Sequence, residues 1–336
     1  MSWAIWIAGP PGRGANGPRE AAEEMLRARG VPVRLLDLDT IWRDLSPGEH
    51  GPGAKRELVH RVLGYLVAQL TEALVPVIVA TTTPSNLPAR VGEPGVPARG
   101  AAPYEHGSAP ELVLDTTRMD VATATDVVVA LAERLAARAQ ERRPSFSGWA
   151  IWITGRPGSG KTTLSRRIAE ALSAGSVPVR ILDLASARAA IVGREWATQP
   201  QEALVHRALA LTTKILTEGG VNVILDATGP RRAWRDVARK WITHFAEVQL
   251  VCPSEICEER ERATRWGLGG PRSPERKDFV ARPDIVVDYE ESWHPDLRLH
   301  TYTPDLLTAV EEVVWLARRL ERAARLQSIG VERTLP

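Results

Sequence analysis

The chain has 336 residues, of which 44% are hydrophobic and 25% charged, a balance that excludes both an intrinsically disordered chain and a membrane-embedded one. The length exceeds what one core commonly organises and points to two domains. A net charge of +2 gives no global attraction to nucleic acid or acidic membranes, so any preference for anions must be local.

The first apolar run, Trp3 to Ala8, is too short for a secretory h-region and has no basic segment before it, and no run of 18 apolar residues exists. The expectation is a cytoplasmic protein without membrane partners. The same run opens a repeat: Trp3-Ala-Ile-Trp-Ile7 returns as Trp149-Ala-Ile-Trp-Ile153, an offset of 146 residues. That offset also carries Val31-Pro-Val-Arg34 onto Val177-Pro-Val-Arg180 and Leu58-Val-His-Arg61 onto Leu204-Val-His-Arg207. Later, Tyr104, Pro110, Leu112 and Thr116 match Tyr289, Pro295, Leu297 and Thr301 at an offset of 185, so the first copy lacks 39 residues. The chain reads as a tandem duplication, with copies over 1–143 and 148–328 joined by the charged, proline-bearing stretch Glu141 to Ser145.

Copy one has lost polar groups that copy two keeps. In Gly9-Pro-Pro-Gly-Arg-Gly14-Ala15-Asn16 the turn glycines persist, but Ala15 and Asn16 stand where copy two has Lys161 and Thr162. Ala80 replaces Asp226, while Asp37 and Asp39 remain. Copy one is expected to be a nucleotide-binding fold without activity, either a pseudo-subunit or a nucleotide sensor.

In copy two, Trp149 to Thr154 predicts a buried strand and Leu164 to Leu172 a helix. Between them lies Gly155-Arg-Pro-Gly158-Ser159-Gly160-Lys161-Thr162-Thr163, a G-x-x-x-x-G-K-T phosphate-binding loop in its proper strand–loop–helix setting. Its glycines let successive N–H groups turn toward phosphate oxygens at a helix N-terminus. Lys161 would reach the β- and γ-phosphates of ATP, and the Thr162 hydroxyl would bind Mg2+.

Strands are predicted at Val177 to Asp183, Gly220 to Asp226 and Ala246 to Cys252, alternating with helices at Glu202 to Leu216, Ala233 to Phe245 and Pro253 to Arg265. This pattern predicts an α/β fold: two P-loop NTPase-type three-layer domains with parallel sheets, the first one shortened. Ligands in such sheets bind at the carboxyl ends of strands, where Asp183 and Asp226 fall. One can hold the magnesium shell and the other accept a proton from an attacking hydroxyl, or each can be a helix N-cap. Arg231, Arg232, Arg235 and Arg239 recur at helical spacing and give a cationic face, for an anionic acceptor or for solvent. Arg260, Arg262 and Arg265 precede a glycine- and proline-rich loop and suit an arginine-bearing lid; Glu–Arg pairing on a surface helix is the alternative. Cys252 and Cys257, the only cysteines, have neither zinc nor disulfide-framework spacing and read as buried thiols.

The order of these segments resembles adenylylsulfate kinase. The resemblance rests on Ile151-Trp-Ile-Thr-Gly155 through Thr163, Val179-Arg-Ile-Leu-Asp183, Phe245-Ala-Glu-Val with Cys257-Glu-Glu-Arg260, and Tyr289-Glu-Glu-Ser-Trp-His-Pro295-Asp-Leu. It implies ATP with Mg2+, phosphorylation of the 3′-hydroxyl of a small nucleotide acceptor, a role in sulfate assimilation and pairing of the two copies as an intramolecular pseudo-dimer. Arg188 would belong to the acceptor side. The sequence departs from the family at Leu182-Asp183-Leu184-Ala185-Ser186-Ala187-Arg188, where Ala185 replaces an aspartate thought to be catalytic. Glu202 and Val205 stand where the family's acceptor-gripping arginine and asparagine align, and Ala263 to Trp266 replaces the lid signature. The alternatives are a non-catalytic ATP-binding scaffold and a polynucleotide-kinase-like enzyme, for which the Leu225-Asp-Ala-Thr-Gly229 to Arg239 segment speaks.

Overall fold

In the computed structural model, residues 2–8, 16–31, 33–46, 56–81, 120–137, 146–193, 198–265, 288–302 and 305–328 are described. Among these residues there are two parallel sheets, one of three strands and one of five. The chain divides into two units, the first comprising 1–143 with 188–208 and the second 144–187 with 209–336.

In the first unit, β1 (Ala4–Ala8), α1 (Asn16–Ala28), β2 (Arg34–Asp37), α2 (Leu38–Leu45), α3 (Arg56–Glu72), β3 (Val77–Thr81) and α4 (Val121–Ala137) follow in order. The strand order is β1-β3-β2, all parallel. Trp3, Ile5 and Ile78 of the sheet side pack with Ala22 and Leu26 of α1 and with Val128, Val129 and Ala132 of α4. Alternate strand residues and helical residues three or four apart thereby meet in one core. At the end of β2, Asp37 accepts from the Thr40 backbone N–H at 3.1 Å and caps α2. The segment 188–208 is held within this unit by Arg207 Nε on the Asp44 carbonyl, 3.1 Å, and Arg61 Nη1 on the Val192 carbonyl, 3.4 Å. The degenerate loop up to Ala15, the side chains of Asn16, Asp39 and Ala80, the Tyr104 to Thr116 block and the expected linker lie outside the described residues.

The remaining elements are β4 (Ala150–Gly155), α5 (Lys161–Ala174), β5 (Val179–Asp183), α6 (Leu184–Ile191), α7 (Gln199–Glu218), β6 (Asn222–Asp226), α8 (Arg232–Trp241), β7 (Phe245–Val251), α9 (Ser254–Arg265), β8 (Leu297–His300) and α10 (Leu306–Ser328). The sheet order is β5-β6-β4-β7-β8, parallel throughout. β4 is its centre and every one of its residues is buried, which is why its sequence is a continuous apolar run rather than an alternating one.

Ile151 and Ile153 face Leu164, Ile168 and Leu172 of α5 and Val310, Val313 and Leu316 of α10. Trp152 and its register partner Glu247 belong to the opposite face. There Arg235 of α8 meets Glu247, so helices lie on both sides of the sheet. The expected helix Ala233 to Phe245 is shorter than predicted. α8 ends at Trp241, Ile242 is already extended at φ −107° and ψ 118°, and Phe245 begins β7. The β-branched pair Ile242-Thr243 favours the extended backbone that the apolar spacing alone did not reveal.

Candidate active site

The phosphate loop is built between the carboxyl end of β4 and the first turn of α5. Gly158 shows why the loop needs its glycines. Its φ is +76°, and a Cβ there would lie 2.2 Å from the Cys257 carbonyl oxygen, so no side chain fits between loop and α9. A Cβ on Gly155, at φ +148°, would lie 2.8 Å from both the Leu250 carbonyl and Ser159 Oγ. Gly160 is a left-handed N-cap at φ 95° without a side chain, and α5 opens directly on Lys161, Thr162 and Thr163. The first-turn amides of α5 thus face the loop at the positive end of the helix.

Lys161 folds back over the loop. Its Nζ donates to the Gly155 carbonyl at 3.0 Å and the Arg156 carbonyl at 2.8 Å, which centres the ammonium on the concave side of the turn. The Ser159 Oγ is buried and has no hydrogen-bond partner among the described residues, while the Ser159 carbonyl accepts from Thr301 Oγ1 at 2.8 Å. Thr162 is half-buried and Thr163 exposed. A glycine-rich turn, a lysine and a helix N-terminus suit the phosphates of a nucleotide.

Among the described residues no three His, Cys, Asp or Glu side chains cluster as a metal site of their own. A magnesium ion here would instead be shared between nucleotide phosphates and Thr162, the way that ion commonly binds. The residues present fit that arrangement.

Asp183 and Asp226 end neighbouring strands and are register partners. Asp183 Oδ1 accepts from the Ser186 backbone N–H at 2.9 Å and so caps α6. Asp226 is buried at 6% exposure. Ala185 is exposed in the first turn of α6.

The arginines separate into distinct environments. Arg188 grips Glu202 with Nε at 2.6 Å and Nη2 at 2.8 Å, within the first unit. Arg231 pairs with Glu290 at 2.9 Å; Arg232 donates to the Glu291 carbonyl at 3.0 Å and stacks 4.4 Å over Trp293. The cationic face expected along α8 is corrected at Arg235. That guanidinium is only 1% exposed and is consumed by Glu247 in the core. Arg239 likewise turns to Glu247 and Asp296, at 3.3 and 2.9 Å. None of these carboxylates lies on α8 itself, so spacing on the helix could not reveal them.

Arg260 donates to the Thr301 carbonyl at 2.7 Å and to Cys252 Sγ at 3.6 Å, beside the loop whose Ser159 carbonyl Thr301 holds. Arg262 pairs with Glu258 at 3.6 Å on the exposed face of α9, and Arg265 closes that helix. Residues 266–287, with the glycine- and proline-rich loop, lie outside the described residues. Both cysteines are free and buried. Burial, then the neighbouring Cys252, pushes the Cys257 thiol up to about 12.

The family model of adenylylsulphate kinase matches residues 1–90 and 147–298, more than two thirds of the chain. The chain belongs to the adenylylsulphate kinase family. It is 36% identical over 130 residues to the adenylyl-sulfate kinase of Synechococcus sp. (strain JA-2-3B'a(2-13)), covering 37% of this chain and 74% of that one. To the adenylyl-sulfate kinase of Rippkaea orientalis it is 29% identical over 180 residues, 53% of this chain and 94% of the relative. Among solved structures, the Mycobacterium tuberculosis APS kinase CysC in complex with AMPPNP and APS matches at 26% identity and TM-score 0.41, over 51% of this chain and 98% of that one.

Membership of this kinase family matches the sequence-based resemblance. Several site features were not foreseen. Thr154 Oγ1 donates to the Thr228 carbonyl at 2.6 Å and lies 3.1 Å from the Tyr289 hydroxyl. Tyr289 is buried, which raises its phenol above the ordinary value. Glu290 holds Arg231 and the Arg232 backbone N–H and is lowered, chiefly by that backbone bond and then by Arg231. The available signal was Glu247, a lone carboxylate in the middle of an apolar strand.

Proposed function

We propose that the protein is an ATP- and Mg2+-dependent kinase that transfers the γ-phosphate of ATP to a hydroxyl of a small, anionic, nucleotide-like acceptor. The observation that carries this is the lysine of the phosphate loop, held by the Gly155 and Arg156 carbonyls at the same carboxyl edge of the sheet as two strand-end aspartates. Gly155 to Thr163 hold the phosphates, Lys161 neutralises charge on the β- and γ-phosphates, and Thr162 supplies a metal hydroxyl. Asp226 orients and deprotonates the acceptor hydroxyl, while Asp183 shapes the start of α6. Arg231 and Arg232 serve the acceptor side, and Arg260 and Arg262 supply positive charge toward the phosphates.

Thr162 and the nucleotide phosphates would hold a magnesium ion, which would supply positive charge against that developing on the transferred group. The test is a screen for ADP release with ATP and Mg2+, offering adenylylsulfate, nucleosides, sugars and a 5′-hydroxyl oligonucleotide in turn. Turnover of adenylylsulfate or a related nucleotide is expected. ATP binding without transfer to any acceptor would establish instead a non-catalytic ATP-binding protein. That second reading is favoured by Ala185 and by the use of Asp183 as a helix cap.

We further propose that the chain arose by tandem duplication, with domains over 1–143 and 148–328. In this arrangement copy one is a pseudo-subunit that pairs with copy two in an intramolecular pseudo-dimer. The sequence repeat supports this, as does a family match that falls in two segments.

A further inference from the structure

The loop that follows Asp226 is held by an unbroken series of hydrogen bonds. The Ala227 carbonyl accepts from Trp152 Nε1 at 2.8 Å, and the Thr228 carbonyl from Thr154 Oγ1 at 2.6 Å. The Gly229 carbonyl accepts from Arg235 Nη1, and the Pro230 carbonyl from the Glu290 backbone N–H at 2.8 Å. Four consecutive carbonyls are therefore taken, which fixes the orientation of each peptide unit in turn. Immediately beyond, Glu290 takes Arg231 and the Arg232 N–H, both at 2.9 Å.

Three of these anchors are backbone groups or stiff side chains of β4. The fourth, Arg235, has a long flexible stem and needs to be aimed. Glu247 does that: its Oε1 accepts from Arg235 Nε at 2.7 Å, leaving Nη1 for Gly229 and Nη2 for the Glu290 carbonyl, 2.6 Å. Glu247 is itself fixed, by Arg239 on Oε2 and by Ser292 on Oε1. The Arg235 and Glu247 side chains are 1% and 5% exposed. A buried ion pair adds little net stability over an apolar pair of the same volume, so its contribution is direction rather than cohesion.

We infer that Glu247 is a positioning residue which, through Arg235, sets the shape of the 227–232 loop and with it the aim of Asp226, Arg231 and Arg232 toward the acceptor. This deepens the kinase assignment above and rests on it. Glu247 touches neither ATP nor acceptor. It determines where groups that touch the acceptor stand, whereas the phosphate loop, which continues from the carboxyl end of β4, is held by Lys161 and Thr301.

The test is Glu247→Gln in the full chain, with three measurements. Amide hydrogen exchange should quicken at least tenfold at Arg232 and Glu290, whose N–H groups bond across this loop, while 150–155 keeps its protection. The concentration of ATP with Mg2+ that gives half-maximal thermal stabilisation should stay within twofold of the parent. With adenylylsulfate as acceptor, kcat/KM for the acceptor should fall at least tenfold at unchanged KM for ATP, with partial recovery in Glu247→Asp.

Parent-like exchange at Arg232 and Glu290, or loss of ATP binding together with loss of protection everywhere, would overturn the inference. Should Glu247→Gln not fold, Arg235→Lys carries the same expectations, since it keeps a cation opposite Glu247 but cannot span Gly229 and Glu290 together. A parent enzyme inert toward every acceptor overturns the kinase assignment, and the exchange measurement still decides the role of Glu247.

Discussion

Asp183 and Asp226 stand side by side as register partners at the carboxyl ends of β5 and β6, and Asp183 caps α6 through the Ser186 backbone N–H. Their replacements should therefore separate. Asp183→Ala removes the bond to the Ser186 N–H and should cost about 1 kcal/mol of stability. Asp226→Asn should lower turnover by about 100-fold or more, as expected for loss of a general base. Urea unfolding and initial rates on both variants check this; a reversed pattern would exchange the roles.

Lys161 has a role that its alternatives cannot fill. Lys161→Ala should abolish the stabilisation that ATP and Mg2+ confer, which for a single site at 100-fold excess over Kd amounts to about 2.7 kcal/mol. Melting curves with and without nucleotide measure it. Persistence of the full shift would place nucleotide binding outside the Gly155 to Thr163 loop.

At Gly158 the geometry is more restrictive than the motif requires. Gly158→Ala introduces a methyl 2.2 Å from the Cys257 carbonyl at a backbone φ of +76°. It should cost about 1–3 kcal/mol and weaken ATP binding, because loop and α9 cannot both stay in place. Gly160→Ala meets no atom within 4 Å and carries only the strain of its φ of +95°, so it should be the milder of the two in a denaturant titration.

Alkaline stability should carry the signature of Cys257. Its thiol is pushed from an ordinary value of 9.0 up to about 12, mainly by burial. Between those values the unfolded chain ionises and the folded one does not, so the unfolded state binds fewer protons and stability falls as pH rises. Below about pH 9 the thiol contributes no slope. Cys257→Ala should flatten the decline in unfolding free energy between pH 9 and 11, and an unchanged decline would assign it elsewhere.

Ala185 tests how far the site has diverged from its family. Ala185→Asp restores an acid in the first turn of α6, where the residue is exposed and can be accommodated. At least a tenfold gain in adenylylsulfate phosphorylation is expected if the parent is limited by the missing carboxylate. No gain, with a parent active on another acceptor, would show that Asp226 alone serves a different chemistry.

Much of this architecture was legible in the chain because it depends on local signals. β4 and the phosphate loop announce themselves through a continuous apolar run followed by fixed glycine spacing, and the strand-end positions of Asp183 and Asp226 follow from chain order alone. The environments of the arginines did not follow. Arg231, Arg235 and Arg239 are neighbours on one helix, but their partners Glu290, Glu247 and Asp296 come from β7 and the segment before β8. Helical spacing predicts which residues share a face, not what a distant strand places against it. Trp152 and Thr154 were equally opaque, being apolar or β-branched strand residues whose polar atoms reach the 227–228 carbonyls.

Thr301 gives the molecule a dependency that the motif alone conceals. Its hydroxyl holds the Ser159 carbonyl, its carbonyl receives Arg260, and its amide continues the pairing with Val251. A fragment cut after α9 would contain every residue of the phosphate loop and none of this buttress. A fragment that keeps the loop buttressed therefore has to run past Thr301, some 140 residues beyond the loop itself.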